Sequence, residues 1–183
     1  MITIFTYKVD QDINLVLPRS EIDAEPLFRL IDESRATLTP WLPWVPNVMS
    51  PEDEKQALVE SLQQYGKSVS LDTLIRYQGD LAGMISFNSI NAANQSADLG
   101  YWLGNKFVGK GIIHHAVISM CSIGFNDYRL NKIEIIATVE NQRSNQVAKE
   151  AGFHFDGHIR SVELDQDGFH DGNLWSLLKE EWV

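Results

Sequence analysis

The sequence has 183 residues, of which 44% are hydrophobic, 10% aromatic and 22% charged. This balance is typical of a globular protein, and it excludes a disordered chain or a collagen-like fibre. The length favours one domain, which we expect to span residues 1–183. Fifteen basic and 25 acidic residues give a formal net charge of −10. So acidic a chain lacks the broad basic face that binds nucleic acid, although one local anion site remains compatible with it.

Three features indicate a cytoplasmic protein. No run of about 18 apolar residues is present, so we expect no membrane span. Residues 1–8 contain no basic segment followed by a long apolar stretch, so no secretory signal is expected. The single cysteine, Cys121, has no partner for an internal disulfide.

The first half of the chain begins with a strand predicted at 13–17. A helix follows, with Ser20 as its expected N-cap and its end near Thr39 and Pro40. The segment 41–46 contains two tryptophans and two prolines and is predicted to be a stiff aromatic loop. Ser50 and Pro51 then mark the start of a second helix, since serine favours the N-cap and proline the first turn.

The second half alternates strands and helices. Strands are predicted at 69–77 and 81–88, joined by a hairpin turn that contains Gly79, and a third at 99–103. An apolar stripe predicts a helix over 109–125, and alternating apolar residues predict a strand over 133–139. A short helix at 141–151 ends at Gly152, and two strands, 155–165 and 172–179, flank a turn at Asp167 and Gly168. The order predicts a single mixed α/β domain with one helix crossover.

A glycine-rich turn, 104–111, joins the strand at 99–103 to the long helix. Glycines allow close approach of a ligand, and the free amides of a helix start favour an anion such as a pyrophosphate. Lys106 and Lys110 add local positive charge. A P-loop fits poorly because Gly111 stands where serine or threonine is needed, and GxGxxG fails at His114. The acyl-CoA loop Q/R-x-x-G-x-G/A fits residues 106–111, except for lysine at its first position. A turn that binds no ligand remains the alternative.

A second motif, N-x-x-S followed by a short helix and Gly-Phe, occupies residues 141–153. At this point the chain resembles the GNAT-superfamily N-acetyltransferases, in which both motifs occur in this order. Within that superfamily it looks like the RimJ/RimL type, the ribosomal-protein alanine and serine N-acetyltransferases, and is most similar to the RimL branch. The residues that support this lie at 41–44, 99–103, 109–112, 141–153, 169–173 and 175–178.

The resemblance implies the GNAT fold: a mixed, mostly antiparallel central sheet, two strands of which splay apart, with about four helices. It implies acetyl-CoA as cosubstrate, no metal, and direct attack on the thioester by the α-amine of a ribosomal protein. It further implies a homodimer. Two alternatives stay open at this stage: acetylation of a small amine such as a polyamine, amino acid or antibiotic, and a non-catalytic CoA-sensing module.

Acetyl transfer needs a base for the amine, a donor for the thioester oxygen and a contact for the leaving thiolate. By resemblance, Ser144 is the candidate for the sulfur contact, with helix capping as the alternative. Glu163 is the candidate base, with an exposed strand carboxylate as the alternative, and Asp98 follows it. The tyrosine that many superfamily members carry in the 141–151 helix is absent, because Ala148 occupies that position.

Further site residues follow from the same resemblance. Backbone amides of the 101–103 strand would serve the thioester oxygen, and Asn141 would bind the pantetheine arm unless it only caps its helix. Trp41 and Trp44 would wall the acceptor pocket unless they only cover the core. The predicted cosubstrate-binding residues are Trp102, Leu103, Lys106, Val108, Gly109, Lys110, Gly111, Ile112 and Asn141.

Other chemistry has weak support in the sequence. His154, Asp156 and His158 would share a strand face, but Gly157 interrupts the strand and no further ligand accompanies them, so no metal site is expected. Cys121 lies in an apolar helix and is predicted to be a packed core thiol.

Overall fold

The computed structural model describes residues 5–165 and 167–182. The first four residues, half of the 1–8 segment in which no secretory signal is expected, lie outside this range. The described part contains the predicted series of strands and helices and one additional short strand at the start. The strands are β1 (Thr6–Lys8), β2 (Ile13–Val16), β3 (Leu71–Tyr77), β4 (Asp80–Asn91), β5 (Ser96–Leu103), β6 (Lys132–Thr138), β7 (His154–Asp165) and β8 (Gly168–Leu178); the helices are α1 (Ser20–Leu38), α2 (Pro51–Gly66), α3 (Ile112–Ser122) and α4 (Gln142–Glu150).

The eight described strands form one mixed sheet in the order β1-β2-β3-β4-β5-β6-β8-β7. Every neighbouring pair is antiparallel except β5 and β6, which run parallel. Parallel neighbours need a crossover, and α3 provides it between these two strands. The mixed, mostly antiparallel sheet predicted from the resemblance is therefore confirmed.

The two central strands separate soon after they meet. β5 and β6 pair only at Ser96–Asp98 with Lys132–Glu134, although each strand continues for several residues beyond. The rest of β5 pairs on one side with β4, and the rest of β6 on one side with β8. The sheet is therefore open down its middle, which confirms the predicted splay.

The apolar core contains residues of the helices and of the sheet. Leu27 and Ile31 of α1 and Leu58 of α2 are fully buried together with strand residues such as Ile75 and Ile85. In α3 the predicted stripe is buried at Ala116, Val117 and Met120 and in the following turn at Gly124, while Ile113 is half-buried. A Cβ on Gly124 would lie 2.8 Å from Ile133 of β6, so this glycine lets the helix end pack closely on the sheet.

The two expected N-caps have different outcomes. Ser50 caps α2, since its Oγ accepts the Asp53 amide at 3.3 Å. Ser20 is not a cap but the first residue of α1, whose N-cap is Arg19. The buried Asp23 accepts the Arg19 amide at 2.9 Å and pairs with the guanidinium groups of Arg19 and Arg76. This ion-pair network fixes the start of α1 and makes a serine cap unnecessary.

Three predicted boundaries also shift. The helix expected over 109–125 begins only at Ile112 and continues through a wider π-helical turn, Ile123–Asp127. β8 begins at Gly168 rather than at residue 172. β5 begins at Ser96, so Asp98 lies within the strand and not just before it.

Candidate active site

A cleft of about 790 Å³ occupies the gap between β5 and β6. The start of α3, the start of α4 and the segment around Trp41 border it. Of the predicted site residues, ten line this cleft: Trp41, Trp102, Leu103, Val108, Gly109, Gly111, Ile112, Asn141, Ser144 and Glu163. Four do not: Trp44, Asp98, Lys106 and Lys110. The fold thus brings residues of both sequence motifs, together with Trp41 and Glu163, to one cavity.

The glycine turn forms one wall. Gly109 and Gly111 have φ values of +81° and +73°, a left-handed conformation that non-glycine residues rarely adopt. Gly111 is the N-cap of α3 and, as a glycine, has no side chain to accept from the first amides of that helix. A Cβ at Gly109 or Gly111 would meet nothing within 4 Å. The turn therefore presents free amides and the positive end of a helix dipole to the cleft, as a pyrophosphate requires.

The two lysines of the turn lie beside aromatic rings. The Lys110 ammonium lies 5.2 Å from the ring centroid of Tyr77 and 5.5 Å from that of Phe107, and Lys106 lies 5.2 Å from Phe107. These cation–π contacts hold both charges near the glycine turn but outside the cleft lining. Their role toward a bound phosphate stays a prediction.

Ser144 enters the cleft from the first turn of α4. Asn141 is the N-cap of that helix, and its Oδ1 accepts the Ser144 amide at 3.1 Å. Asn141 thus has the capping role that was the alternative for it, and it also lines the cleft. The cap leaves the Ser144 hydroxyl free for other partners. That hydroxyl lies 3.1 Å from the phenol oxygen of Tyr101, which is also 3.2 Å from the Ser144 carbonyl oxygen.

Asn145 anchors α4 to the second half of the sheet. Its Nδ2 donates to the carbonyls of Thr138 and Asn141, at 2.9 and 2.8 Å. Its Oδ1 accepts from the Asn173 amide at 2.7 Å and from the Trp175 indole at 2.9 Å. All four hydrogen-bonding positions of this side chain are occupied, so the helix that carries Ser144 has a fixed position relative to β6 and β8.

Glu163 reaches the cleft from β7, opposite His170 of β8. The pairing slips between Ile159 and Glu163, where three β7 residues face one residue of β8. Burial raises the pKa of the half-buried Glu163 carboxyl above its ordinary value; the nearby charge of Asp165 adds to this, and His170 opposes it. A carboxylate whose pKa is raised is a better proton acceptor for an amine than an ordinary surface glutamate.

Asp98 faces a separate, smaller cavity that Lys132 and Glu134 also line. Its Oδ2 accepts from the Asn88 amide at 2.9 Å. Burial raises the pKa of Asp98, and the charge of Glu134 raises it further. Asn88 itself lines the main cleft, at a bulge where β4 and β5 slip by one residue. Asp98 is therefore linked to the main cleft through Asn88.

The backbone of β5 supplies candidate donors for a thioester oxygen. The Gly104 amide donates to Ala82 of the neighbouring segment at 2.9 Å. Hydrogen bonding alternates along an antiparallel pair, so the amides of Trp102 and Gly100 also face β4. The amides of Tyr101 and Leu103 then face the gap, where β6 has already diverged. They are therefore the candidate donors for an oxyanion in the gap.

The two tryptophans of the aromatic loop differ in placement. Trp41 lines the cleft, whereas Trp44 packs edge-on against Trp102 with 6.1 Å between ring centroids. Trp44 thus contacts a wall of the cleft from behind, and its role toward an acceptor stays a prediction.

Other chemistries find little support in the part of the chain that the structure covers. Within residues 5–165 and 167–182, no group of three or more histidine, cysteine or acidic side chains is arranged to hold a metal ion. Burial raises the pKa of Cys121 to about 12, which leaves this thiol neutral and unreactive. No described helix is long and apolar enough to cross a membrane.

Sequence reasoning missed three residues that shape the site: Tyr101, Asn88 and Asn145. Tyr101 was considered only for its backbone, although its phenol contacts Ser144 from another strand. The sequence signal for Asn88 was Gly100, since a glycine inside a strand indicates the close approach of a neighbouring group. In the structure, a Cβ on Gly100 would lie 2.6 Å from the Asn88 amide nitrogen. Asn145 stood in the quoted motif without an assigned role.

An open sheet, a glycine turn at the start of a helix and a cleft lined by a carboxylate and a serine are the features expected of an acyltransferase that uses a CoA thioester. The family model for the acetyltransferase (GNAT) domain matches residues 12–154. The chain therefore belongs to the GNAT acetyltransferases.

Individual relatives agree with this assignment. The chain is 33% identical over 179 residues, 97% of both chains, to the Bacillus subtilis protein named "Putative ribosomal N-acetyltransferase YdaF". It is 30% identical over 173 residues to the ribosomal-protein-serine acetyltransferase of Escherichia coli, covering 94% of this chain and 96% of the relative. The structure of the ribosomal-protein acetyltransferase RimL in complex with coenzyme A has 25% identity and a TM-score of 0.92, over 96% of this chain and 99% of RimL.

These findings confirm the RimJ/RimL resemblance. The protein is an acetyl-CoA-dependent N-acetyltransferase. The alternative of a non-catalytic CoA sensor is set aside.

Proposed function

We propose that the acceptor is the N-terminal α-amine of a ribosomal protein that begins with serine or alanine. The observation that carries this proposal is the presence of Glu163 and Ser144 in one cleft, on two different elements. The two relatives similar over nearly the whole chain are named for ribosomal acetylation, which favours this acceptor over a small amine.

In the proposed reaction, Glu163 takes a proton from the bound ammonium group and passes it to water, so that the amine is neutral and nucleophilic and the carboxylate is free to take the second nitrogen proton as the amide forms. The amine nitrogen attacks the thioester carbon, and the amides of Tyr101 and Leu103 donate to the oxygen that gains negative charge. The carbon–sulfur bond then breaks with its electron pair going to sulfur, and the Ser144 hydroxyl donates a hydrogen bond to that sulfur. No covalent enzyme intermediate forms.

The glycine turn holds the other end of the cosubstrate. The free amides at the start of α3 bind the pyrophosphate, and Lys106 and Lys110 add attraction from outside the cleft. Trp102, Leu103, Val108, Ile112 and Asn141 border the path of the pantetheine arm. Trp41 borders the acceptor side, and Trp44 supports that wall through Trp102. Holding both reactants in this geometry supplies much of the rate enhancement, on the order of 7–11 kcal/mol in favourable cases.

The test is thiol release from acetyl-CoA with a panel of amines, using wild-type protein and Glu163→Gln. The panel contains N-terminal peptides of ribosomal proteins that begin with serine or alanine, polyamines and aminoglycosides. We expect turnover on the peptides and a 10²- to 10⁴-fold lower rate in the variant, about what a general base contributes. In wild type, turnover rises with pH as Glu163 loses its proton, at a pH above the ordinary glutamate range, and the variant lacks this rise.

Asp98→Asn is the comparison variant. If Asp98 were the base, acting through Asn88, this variant would lose the rise with pH and Glu163→Gln would keep it. Turnover on small amines alone would contradict the proposed acceptor while leaving the acetyltransferase activity in place.

We propose four further properties. The chain acts as one domain in the cytoplasm, where ribosomal proteins are made, and binds its acceptor without direct contact to nucleic acid. It forms a homodimer; β7 is an outer strand of the sheet, and Leu164 and Phe169 on the β7–β8 hairpin are 57% and 68% exposed. Sedimentation equilibrium gives the mass in solution, and a monomer at all concentrations would contradict the dimer.

A further inference from the structure

The side chain of Tyr101 has no part in the reaction described so far. It nevertheless lines the cleft and contacts Ser144, the proposed hydrogen-bond donor to the leaving sulfur. Its phenol oxygen lies 3.1 Å from the Ser144 hydroxyl and 3.2 Å from the Ser144 carbonyl oxygen. Tyr101 stands on β5 and Ser144 on α4, so the contact crosses the cleft between the two halves of the sheet. The fold thus brings a phenol to the serine in a chain whose α4 helix lacks a tyrosine.

The number of protons decides how this pair is arranged. The phenol has one proton, and the Ser144 carbonyl only accepts. If the phenol donates to the carbonyl, the serine proton is free to point back at the phenol. If the phenol donates to the serine oxygen, the serine proton is directed elsewhere, and the cleft is the open direction. The second arrangement leaves the serine as a donor toward a ligand in the cleft.

We propose that Tyr101 is a positioning residue. Its phenol O–H donates a hydrogen bond to the Ser144 hydroxyl oxygen and thereby directs the serine O–H at the leaving sulfur of the cosubstrate. This inference rests on the proposed function, because it assumes that Ser144 contacts the sulfur. It adds a side chain of β5 to the leaving-group end of the site.

Tyr101 keeps its proton throughout. Burial raises the pKa of Tyr101 to about 12, and the hydrogen bond with Ser144 only partly offsets this. An ordinary thiol has a pKa of about 8.5. A full proton transfer from the phenol to the thiolate is therefore disfavoured by roughly a thousandfold or more. The pair acts as two aligned donors, and donation by the phenol strengthens the serine as a donor.

The chemical balance is simple. The bond between the amine nitrogen and the acetyl carbon forms, the carbon–sulfur bond breaks, and the electron pair goes to sulfur. The ammonium proton reaches water through Glu163 before the attack, and the second nitrogen proton, lost as the amide forms, goes to Glu163. CoA leaves as a hydrogen-bonded thiolate, which takes a proton from water after release.

The first experiment measures the thiol pKa of bound CoA and needs no acceptor. CoA in complex with the enzyme is titrated by the ultraviolet absorbance of the thiolate, with the free enzyme subtracted. Donation to sulfur favours the thiolate, so we expect a lower thiol pKa in wild type than in free CoA. In Tyr101→Phe we expect roughly a tenfold loss of thiolate stabilisation, the size of one hydrogen bond. Cys121 does not interfere, because its buried thiol stays neutral in this range.

Three comparison variants make the result specific. Ser144→Ala should raise the thiol pKa at least as much, and the double variant no further, since the phenol acts only through the serine. Tyr128→Phe removes the hydroxyl of a ring that packs on Phe87 away from the cleft, and the thiol pKa of bound CoA should match that in wild type. The ionisable cleft residues Arg143, His114, Glu150 and Glu163 are the same in all variants.

Turnover gives the second readout. Tyr101→Phe should lower kcat by roughly tenfold with little change in KM for acetyl-CoA, and should have no effect in the Ser144→Ala background. Equal effects of Tyr101→Phe with and without Ser144, or an unchanged thiol pKa, would overturn the inference. If Ser144→Ala leaves both the thiol pKa and kcat unchanged, the serine role in the proposed function fails as well.

Discussion

At the scale of single residues, two glycines with similar left-handed backbone conformations differ in the expected consequence of adding a side chain. Gly111 has φ +73° at the start of α3, and Gly79 has φ +91° in the β3–β4 hairpin turn. At both, an added Cβ would meet nothing within 4 Å of the protein. A side chain at either therefore costs similar conformational energy, about 1 kcal/mol, but only Gly111 faces the cleft.

We predict that Gly111→Trp raises the Kd for acetyl-CoA at least about a hundredfold, because the indole occupies the space that the pyrophosphate needs beside the helix amides. Isothermal titration calorimetry measures the affinity. Gly79→Trp is the matched control and should bind as wild type does. Equal affinity in Gly111→Trp and wild type would mean that the turn is not the phosphate site.

The residue scale is also where sequence reasoning was least complete. Ser144 and the turn glycines belong to local motifs, and Glu163 follows from the family resemblance, so these candidates needed no knowledge of the fold. The contact of Tyr101 with Ser144 joins residues 43 positions apart, and it depends on where β5 and α4 meet across the gap. Local patterns carry no information on such a distance, so the phenol was overlooked.

At the scale of elements, α4 depends on Asn145 for its position. We predict that Asn145→Ala lowers the free energy of unfolding by about 2–4 kcal/mol, because it removes four hydrogen bonds and leaves the Trp175 indole without its acceptor. Urea unfolding at constant pH measures the change. Asn126→Ala is the control, since its exposed side chain makes one bond to Ser122 and its loss should cost about 0.5 kcal/mol or less. A similar loss in both variants would contradict the anchoring role.

Element order was predictable because it follows from hydrophobic spacing, which most of these segments show clearly. β1 escaped prediction, since its three residues are all exposed and show no alternation of buried and exposed positions. Residues 96–98, the start of β5, were assigned to no strand, yet they form the parallel pairing with β6. On the β5 side, the residues that join the two halves of the sheet therefore lay outside the predicted strand.

At the scale of the whole molecule, stability depends on pH through a buried carboxyl. Glu54 of α2 is 5% exposed, and burial raises its pKa to about 7, with a further contribution from Asp53. The positive end of the helix dipole favours a charge there by only about 0.3–1 kcal/mol, so burial dominates. Below about pH 4.5 the group is protonated in both states. As pH rises toward 7, the unfolded chain releases a proton that the folded chain retains, and stability is lost.

We therefore predict that Glu54→Gln is more stable than wild type at pH 8, by up to about 3 kcal/mol, with a difference that shrinks as pH falls from 7 to 4.5. Thermal unfolding at several pH values measures this. Glu52→Gln makes the same charge change at an exposed site of the same helical turn, and its pH dependence should follow wild type. A Glu54→Gln difference that stays constant from pH 4.5 to 8 would contradict the prediction.

The three residue pairs that join β5 to β6 have a consequence for the cleft beyond them. There the two strands diverge, and each presents a strand edge to the gap. An exposed edge of this kind normally invites another polypeptide strand, but here it is recessed between two half-sheets. A thin, extended molecule with its own amide groups suits such a gap, and the pantetheine arm has that form. We expect the cosubstrate to take the place of a missing strand between two half-sheets whose strands pair at one end of the gap.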